Sequence, residues 1–245
     1  MRNLRNPYVQ VAIWTLGIGT AFTAIVLTVP WLPSESSTAA NPIDTLYDVL
    51  AVISSYVFAL VVSIMLVSVI HFRRRHNDLS DGEPIHGNTT MEAVWTAIPA
   101  LLMVGTAVYS GLVLADIEET KANTQEVRIT GQQFAWVFEY QSPKLKAGEL
   151  HLVKDTPYHF ELKAKDVLHS FWVPQFRMKK DAVPGITTDV RVTPTRNGTY
   201  TLACTELCGL GHATMRARVV VEDQAAFDKW AAQAKKIQNE IGGVS

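Results

Sequence analysis

Three long stretches of this 245-residue chain contain no Asp, Glu, Lys or Arg. They run from Asn6 to Ser34, from Val49 to Phe72 and from Ala93 to Ala115, and the last two hold 24 and 23 residues. About 20 apolar residues suffice to cross the roughly 30 Å hydrocarbon core of a bilayer. A soluble helix of that length carries a polar face; VFALVVSIMLVSVI carries none, so a buried soluble helix is disfavoured. An excess of one charge sign is missing too. The net charge is −1, which gives no electrostatic case for nucleic acid or for a polybasic membrane patch. Cysteine is scarce, with two residues and no Cys-x-x-Cys-His, so the chain carries no c-type haem of its own. Internal repeats and low-complexity tracts are also absent. Apolar residues make up an ordinary 48%, but they crowd into the first half.

The last two uncharged stretches are therefore expected to be transmembrane helices. The first follows Arg2 and Arg5 and has two readings, a signal segment or a third span. Its apolar region exceeds the about 7–15 residues of a signal peptide, although Ser37-Thr38-Ala39 resembles a cleavage site. No Cys follows it to carry a lipid, and a third span is favoured. Lys and Arg collect on the cytoplasmic side of membrane helices. Arg2 and Arg5 then lie inside, the Lys- and Arg-free loop from Trp31 to Asp48 outside, and Arg73, Arg74 and Arg75 inside. Everything after Ala115 is expected outside.

The exported half reads as β-structure. Glu126–Tyr140 suggests a strand pair or one long bent strand, and YHFELKAK, ITTDVRVTP, GTYTLACT and RARVVVE follow between Pro, Gly and Asn breaks. Short strands separated by turns indicate an all-β sandwich or small barrel. From Asp223 the pattern changes to a C-terminal amphipathic helix, QAAFDKWAAQAKKIQNEI, closed by Gly242-Gly243. The expected division is an N-terminal helix or signal segment with its loop (1–41), a helical hairpin (42–117), a metal-binding β-domain (118–222), and a helix and tail (223–245).

The chemistry concentrates between Cys204 and Met215, where two Cys four apart precede His212 by four residues and Met215 by seven. A mononuclear blue-copper site needs one Cys with His ligands and a weak Met. A second thiolate in the same loop is enough to bridge two copper ions. Gly209 and Gly211 would let the backbone wrap closely around metal. Two Cys in an exported domain more often form a disulfide, and zinc is a further alternative. The order Cys, Cys, His, Met within 12 residues favours copper over both.

A second imidazole is needed. His151 and His159 sit in alternating, strand-like sequence and read as partly exposed. His169 lies among aromatics in DVLHSFWVP, where it would be shielded from water. A lone histidine there would usually be a satisfied core residue. Cupredoxin sites take one His from an early strand, which makes His169, 35 residues before Cys204, the preferred partner.

With these motifs in place, the chain resembles the cytochrome c oxidase subunit II family over at least Ile43 to Glu222. The Cys204–Met215 segment matches that family's binuclear CuA loop, DVLHSFWVP the segment giving the first His, KKDAVPG the turn after it, and MEAVWTAIP the start of the helix before the exported domain. The resemblance implies a membrane-anchored, cupredoxin-like sandwich in a respiratory membrane, with its copper domain on the outer face. It implies side-chain copper ligands at His169, Cys204, Cys208, His212 and Met215, with the backbone carbonyl of Glu206 as a further ligand. The Glu206 side chain would reach a magnesium ion at the border with subunit I, and Glu92 would stand at the cytoplasmic mouth of a proton channel. Read alone, Glu92 is equally a favourable charge at a helix start. Partners implied are the haem-bearing subunit I, other oxidase subunits, membrane lipid, and cytochrome c or another external donor. Haem belongs to the partner subunit.

Two departures stand out. The family's aromatic cluster, Gly-x-Gln-Trp-Tyr-Trp, here reads Gly131-Gln132-Gln133-Phe134-Ala135-Trp136. Phe is far harder to oxidise than Trp, so the electron relay would fall to Trp136, or Trp136 packs in the core. The span Thr124–Glu222 holds ten acids and thirteen Lys and Arg, so it lacks the acidic balance that steers a basic cytochrome c. Asp181 matches a family acid near the docking face, but Arg177, Lys179 and Lys180 surround it. Two other classes compete. A membrane-tethered copper chaperone would show βαβ patterning, which is missing between Glu126 and Glu222. A structural subunit of a quinol oxidase would lack the copper ligands, and all five side chains are present.

Overall fold

A computed structural model describes residues 6–74, 81–82 and 84–242. Arg2, Arg5 and Arg75 of the orientation argument, and Gly243 of the helix stop, lie outside the described residues. The chain divides into two compact units, residues 1–32 with 44–112, and residues 33–43 with 113–245.

Three helices are long and apolar enough to cross a membrane: α1 (Pro7–Thr28), α2 (Ala40–His71) and α3 (Thr89–Ile117). Asn6 caps α1 by accepting from the Tyr8 N–H at 2.9 Å, and Pro7 occupies the first helical position, where its missing N–H costs nothing. The helices α1 and α2 pair antiparallel. Thr20 and Tyr56 hydroxyls lie 3.2 Å apart, and His71 meets Gln10 at 2.6 Å. Asn88 caps α3 by accepting from the Met91 N–H at 3.1 Å. Large apolar side chains such as Leu101, Met103 and Leu112 are exposed on α3, as suits a lipid-facing helix.

The second unit is a sandwich of two five-stranded sheets. One runs in the order β3 (Leu145–Ala147), β2 (Ala135–Tyr140), β1 (Gln125–Gln132), β5 (Tyr158–Ala164), β8 (Thr188–Val192). The other runs β4 (Leu150–Val153), β10 (Arg216–Glu222), β9 (Gly198–Cys204), β6 (His169–Val173), β7 (Met178–Ala182). Pairings are antiparallel except β1 with β5 and β4 with β10. Alternation along each strand sends one row inward: Val127, Ile129 from β1, Trp136, Phe138, Tyr140 from β2, Phe160, Leu162 from β5 and Tyr200, Leu202, Cys204 from β9. These rows close a core with Phe171, Phe176 and Met215.

Glu126–Tyr140 is thus a strand pair, β1 and β2, and KKDA of the expected turn belongs to strand β7, with the turn beginning after Ala182. The C-terminal helix α4 (Gln224–Gly242) lays Phe227, Trp230 and Ala231 on the sandwich. That packing corrects the reading of His151 as partly exposed. Trp230 stacks on its ring at 3.8 Å and 8°, and the residue is buried. His159 is half-buried on β5, 3.2 Å from Asp189, as a strand residue should be.

Candidate metal centre

Strand register assembles the site. Phe171 of β6 lies opposite Cys204 of β9, so His169 at the start of β6 reaches past the end of β9, where the loop to β10 begins. Cys204 is the last inward residue of its strand. The loop then returns through Cys208, a 3-10 turn at His212–Thr214 and Met215, whose carbonyl accepts from the Cys204 N–H at 3.1 Å.

Every residue expected to contact metal is brought together here. Both thiols are free, buried and 4.0 Å apart, twice the separation of a disulfide. His169 Nδ1 lies 3.9 Å from Cys204 Sγ, and the Glu206 carbonyl 3.3 Å from the same sulfur. His212 Nδ1 lies 3.6 Å and Met215 Sδ 3.7 Å from Cys208 Sγ. The donor atoms of His169, Cys204 and Cys208 all fall within 4.8 Å of one another. Two thiols, two imidazoles, a thioether and a carbonyl form a soft set that suits copper and is poorly matched to magnesium or calcium. Burial, and then the neighbouring Cys204, push the Cys208 thiol up to about 11. A metal cation would reverse that balance, because it binds the thiolate.

Outer residues fix the ligands. His169 Nε2 lies 2.8 Å from Asp166 Oδ1, so Nε2 donates and Nδ1 turns its lone pair toward Cys204. Burial works to raise the Asp166 pKa. The Gln133 N–H, His169 and the Val167 N–H outweigh it and hold the carboxyl down at about 2. A Cβ on Gly131 would sit 3.0 Å from the His169 ring, so glycine lets β1 pass close behind the imidazole. Neither Asp166 nor Gln133 is conspicuous in the sequence. An acid three residues before a candidate ligand was the available signal.

The aromatic cluster divides. Trp136 is 3% exposed, its ring 6.0 Å from that of His169 and 5.9 Å from that of Phe171. Its Nε1 has no hydrogen-bond partner among the described residues. Phe134 is 40% exposed and its ring lies against Gly211 of the loop. Asp181, on β7, accepts from the Ser170 hydroxyl at 2.6 Å. In the first turn of α3, Glu92 accepts from the Asn88 N–H at 3.2 Å.

Membrane helices followed by a cupredoxin-like sandwich with a buried thiol–imidazole cluster define a membrane-bound copper protein. Family comparison makes the class specific. Residues 21–113 match the transmembrane domain of cytochrome c oxidase subunit II, and residues 147–223 match its periplasmic domain. Cytochrome c oxidase subunit 2 of Thermostichus vulcanus is 32% identical, with 94% of this chain and 87% of the relative covered. That of Alkalihalophilus pseudofirmus is 35% identical over 81% of this chain and 62% of its own. A probable quinol oxidase subunit 2 of Staphylococcus saprophyticus is 28% identical, covering 74% and 51%. The periplasmic domain of subunit II from Bradyrhizobium japonicum is a solved structure of 24% identity and TM-score 0.46, covering 48% of this chain and 98% of that one. The chain belongs to the cytochrome c oxidase subunit II family, the part of a haem–copper oxidase where electrons enter, with its β-domain outside the membrane.

Proposed function

We propose that residues 118–222 hold a binuclear copper centre that takes single electrons from an external carrier such as cytochrome c and passes them to haem in subunit I. The observation that carries this reading is the pair of free, buried thiols 4.0 Å apart with a third soft sulfur, two imidazoles and a carbonyl around them. A mononuclear site uses one thiolate; a second at this spacing gives each of two metals a share in both sulfurs. Two thiolate-bridged coppers supply a one-electron carrier whose charge is spread over both nuclei. The chain's own groups do the rest. Cys204, Cys208, His169, His212, Met215 and the Glu206 carbonyl would hold the two metals, and Asp166 fixes the imidazole of His169. Buried Trp136, Phe171 and Met215 exclude water from the inner side.

Three finer roles belong to the same reading. The Glu206 carboxylate would bind magnesium at the subunit I border, a hard ligand for a hard cation. Glu92 would pass protons into subunit I at the cytoplasmic end of α3. Trp136, its ring 6.0 Å from that of His169, would serve in electron entry in place of the tryptophan that Phe134 replaces.

The test uses the full chain in detergent, loaded with copper, with metal content and electron paramagnetic resonance recorded together. About two coppers per chain and one unpaired electron shared by both nuclei is the expected result. One copper with a single-nucleus spectrum, or a Cys204–Cys208 disulfide that takes no metal after reduction, would overturn it.

A further inference from the structure

We infer that Gln133 is a positioning residue that clamps both halves of the metal site from the turn between β1 and β2. The inference rests on reading residues 169 and 204–215 as a copper site. Three observations carry it. First, the Gln133 side-chain amide donates from Nε2 to the carbonyl of Cys208, 75 residues away. Second, the Gln133 backbone N–H donates to Asp166 Oδ2 at 2.7 Å, while Asp166 Oδ1 lies 2.8 Å from His169 Nε2. One residue thus holds the thiol-bearing loop by its side chain and, through Asp166, the imidazole by its main chain. Third, the loop is shaped to receive it. Gly209 has φ +131, and a Cβ there would stand 2.9 Å from Gln133 Nε2 and 3.2 Å from the Phe134 ring.

The need for such a clamp follows from the loop's own hydrogen bonds. Its ends are tied to strands, Cys204 N–H to the Met215 carbonyl and Thr205 N–H to the Ser170 carbonyl, both at 3.1 Å. Its return is tied locally, His212 N–H to the Gly209 carbonyl and Thr214 N–H to the Gly211 carbonyl. The peptide between Cys208 and Gly209 lies between these sets, and the Gln133 amide fastens it. A loop held there keeps Cys208 Sγ at 4.0 Å from Cys204 Sγ before any metal arrives. Released, the two thiols would close on each other and form the disulfide that excludes copper, two electrons and two protons leaving to an added disulfide such as oxidised glutathione. The clamp therefore favours metal uptake over oxidation in the metal-free chain. Ligands prepared in this way need less rearrangement on binding.

The experiment compares the wild-type full chain in detergent with Gln133→Leu, Gln133→Glu and, as a control at the adjoining end of β1, Gln132→Leu. Gln133→Glu keeps the length of the side chain but points an acceptor at the carbonyl, so it serves if the leucine variant folds poorly; circular dichroism and melting report folding for each. Losing a carbonyl hydrogen bond of ordinary strength corresponds to roughly a tenfold effect. Both Gln133 variants are expected to lose copper to excess chelator roughly tenfold faster, with altered copper–thiolate absorption and hyperfine splitting. Metal-free, they should form the Cys204–Cys208 disulfide with oxidised glutathione roughly tenfold faster, by thiol counting. Gln132→Leu should match wild type in all readouts. Rates and spectra unchanged at Gln133, or equal losses at Gln132, would overturn the clamp. A wild-type chain that binds no copper pair would fail the proposed function instead, while thiol oxidation would still report on the clamp.

Discussion

At the residue scale, the two thiols are not equivalent in their surroundings. Cys204 closes an inward strand row and faces His169, whereas Cys208 sits in the loop beside His212 and Met215. Replacing Cys208 by Ser removes one of the two sulfurs proposed to hold the metal pair and leaves His169, Cys204 and nearby donors in place. Cys208→Ser is expected to bind at most one copper, with a spectrum confined to a single nucleus. Metal analysis with electron paramagnetic resonance checks it. A second residue-scale prediction concerns pH. Burial raises the hydroxyl pKa of Tyr158 from 10.0 to about 12, against the hydrogen bond from the Val153 N–H, and burial raises that of Tyr140 further. Both pKa values are raised on folding, so this stabilisation is complete below about pH 10, the unfolded value, and is lost as pH rises toward the folded values. Urea midpoints should hold to about pH 10 and fall between 10 and 12. Tyr158→Phe loses the Val153 contact, about 1 kcal/mol at any pH, but should show a shallower alkaline decline.

At the scale of elements, legibility in the sequence followed solvent exposure. Strands β5, β8, β9 and β10 carry one polar row and were readable from alternation. In β6 His169, Ser170, Phe171 and Val173 are all buried, so periodicity disappears. Strand β7 is an edge whose Lys179, Lys180 and Asp181 read as a turn; charge on an edge blocks unwanted pairing. The metal ligands were readable because five of the six lie within the twelve residues from Cys204 to Met215. The contacts of Gln133 with Asp166 and with Cys208 span 33 and 75 residues and depend on the fold alone. The same holds for α4, whose amphipathic face was evident but whose contact with His151 was not. Trp230 covers that imidazole and meets Tyr140 at 5.5 Å and Phe227 at 5.5 Å. Trp230→Ala should cost about 2 kcal/mol, below the range for a fully buried tryptophan because Trp230 is half-buried. Urea unfolding measures the loss, and the His151 ring protons should lose their ring-current shift.

At the scale of the whole molecule, charge and apolar surface point to how a donor meets the copper domain. Between Thr124 and Glu222 there are ten acids and thirteen Lys and Arg, so the field outside the domain does not draw in a basic protein. Around the metal loop, Leu207 is 82% exposed, Leu210 fully exposed and Phe134 40% exposed. Such side chains favour contact by apolar burial, which salt does not screen. Electrostatic steering raises association rates by 10 to 10³-fold and loses that gain steeply with ionic strength. For this chain, reduction by a basic cytochrome c should change less than about threefold between 10 and 200 mM salt. Replacing Leu210 with Ser should slow reduction more than that at every salt concentration, since it removes contact area and leaves charge unchanged. Stopped-flow reduction of the copper-loaded full chain measures both. A steep fall with salt, together with an unaltered rate for Leu210→Ser, would place the docking on charged groups elsewhere on the domain.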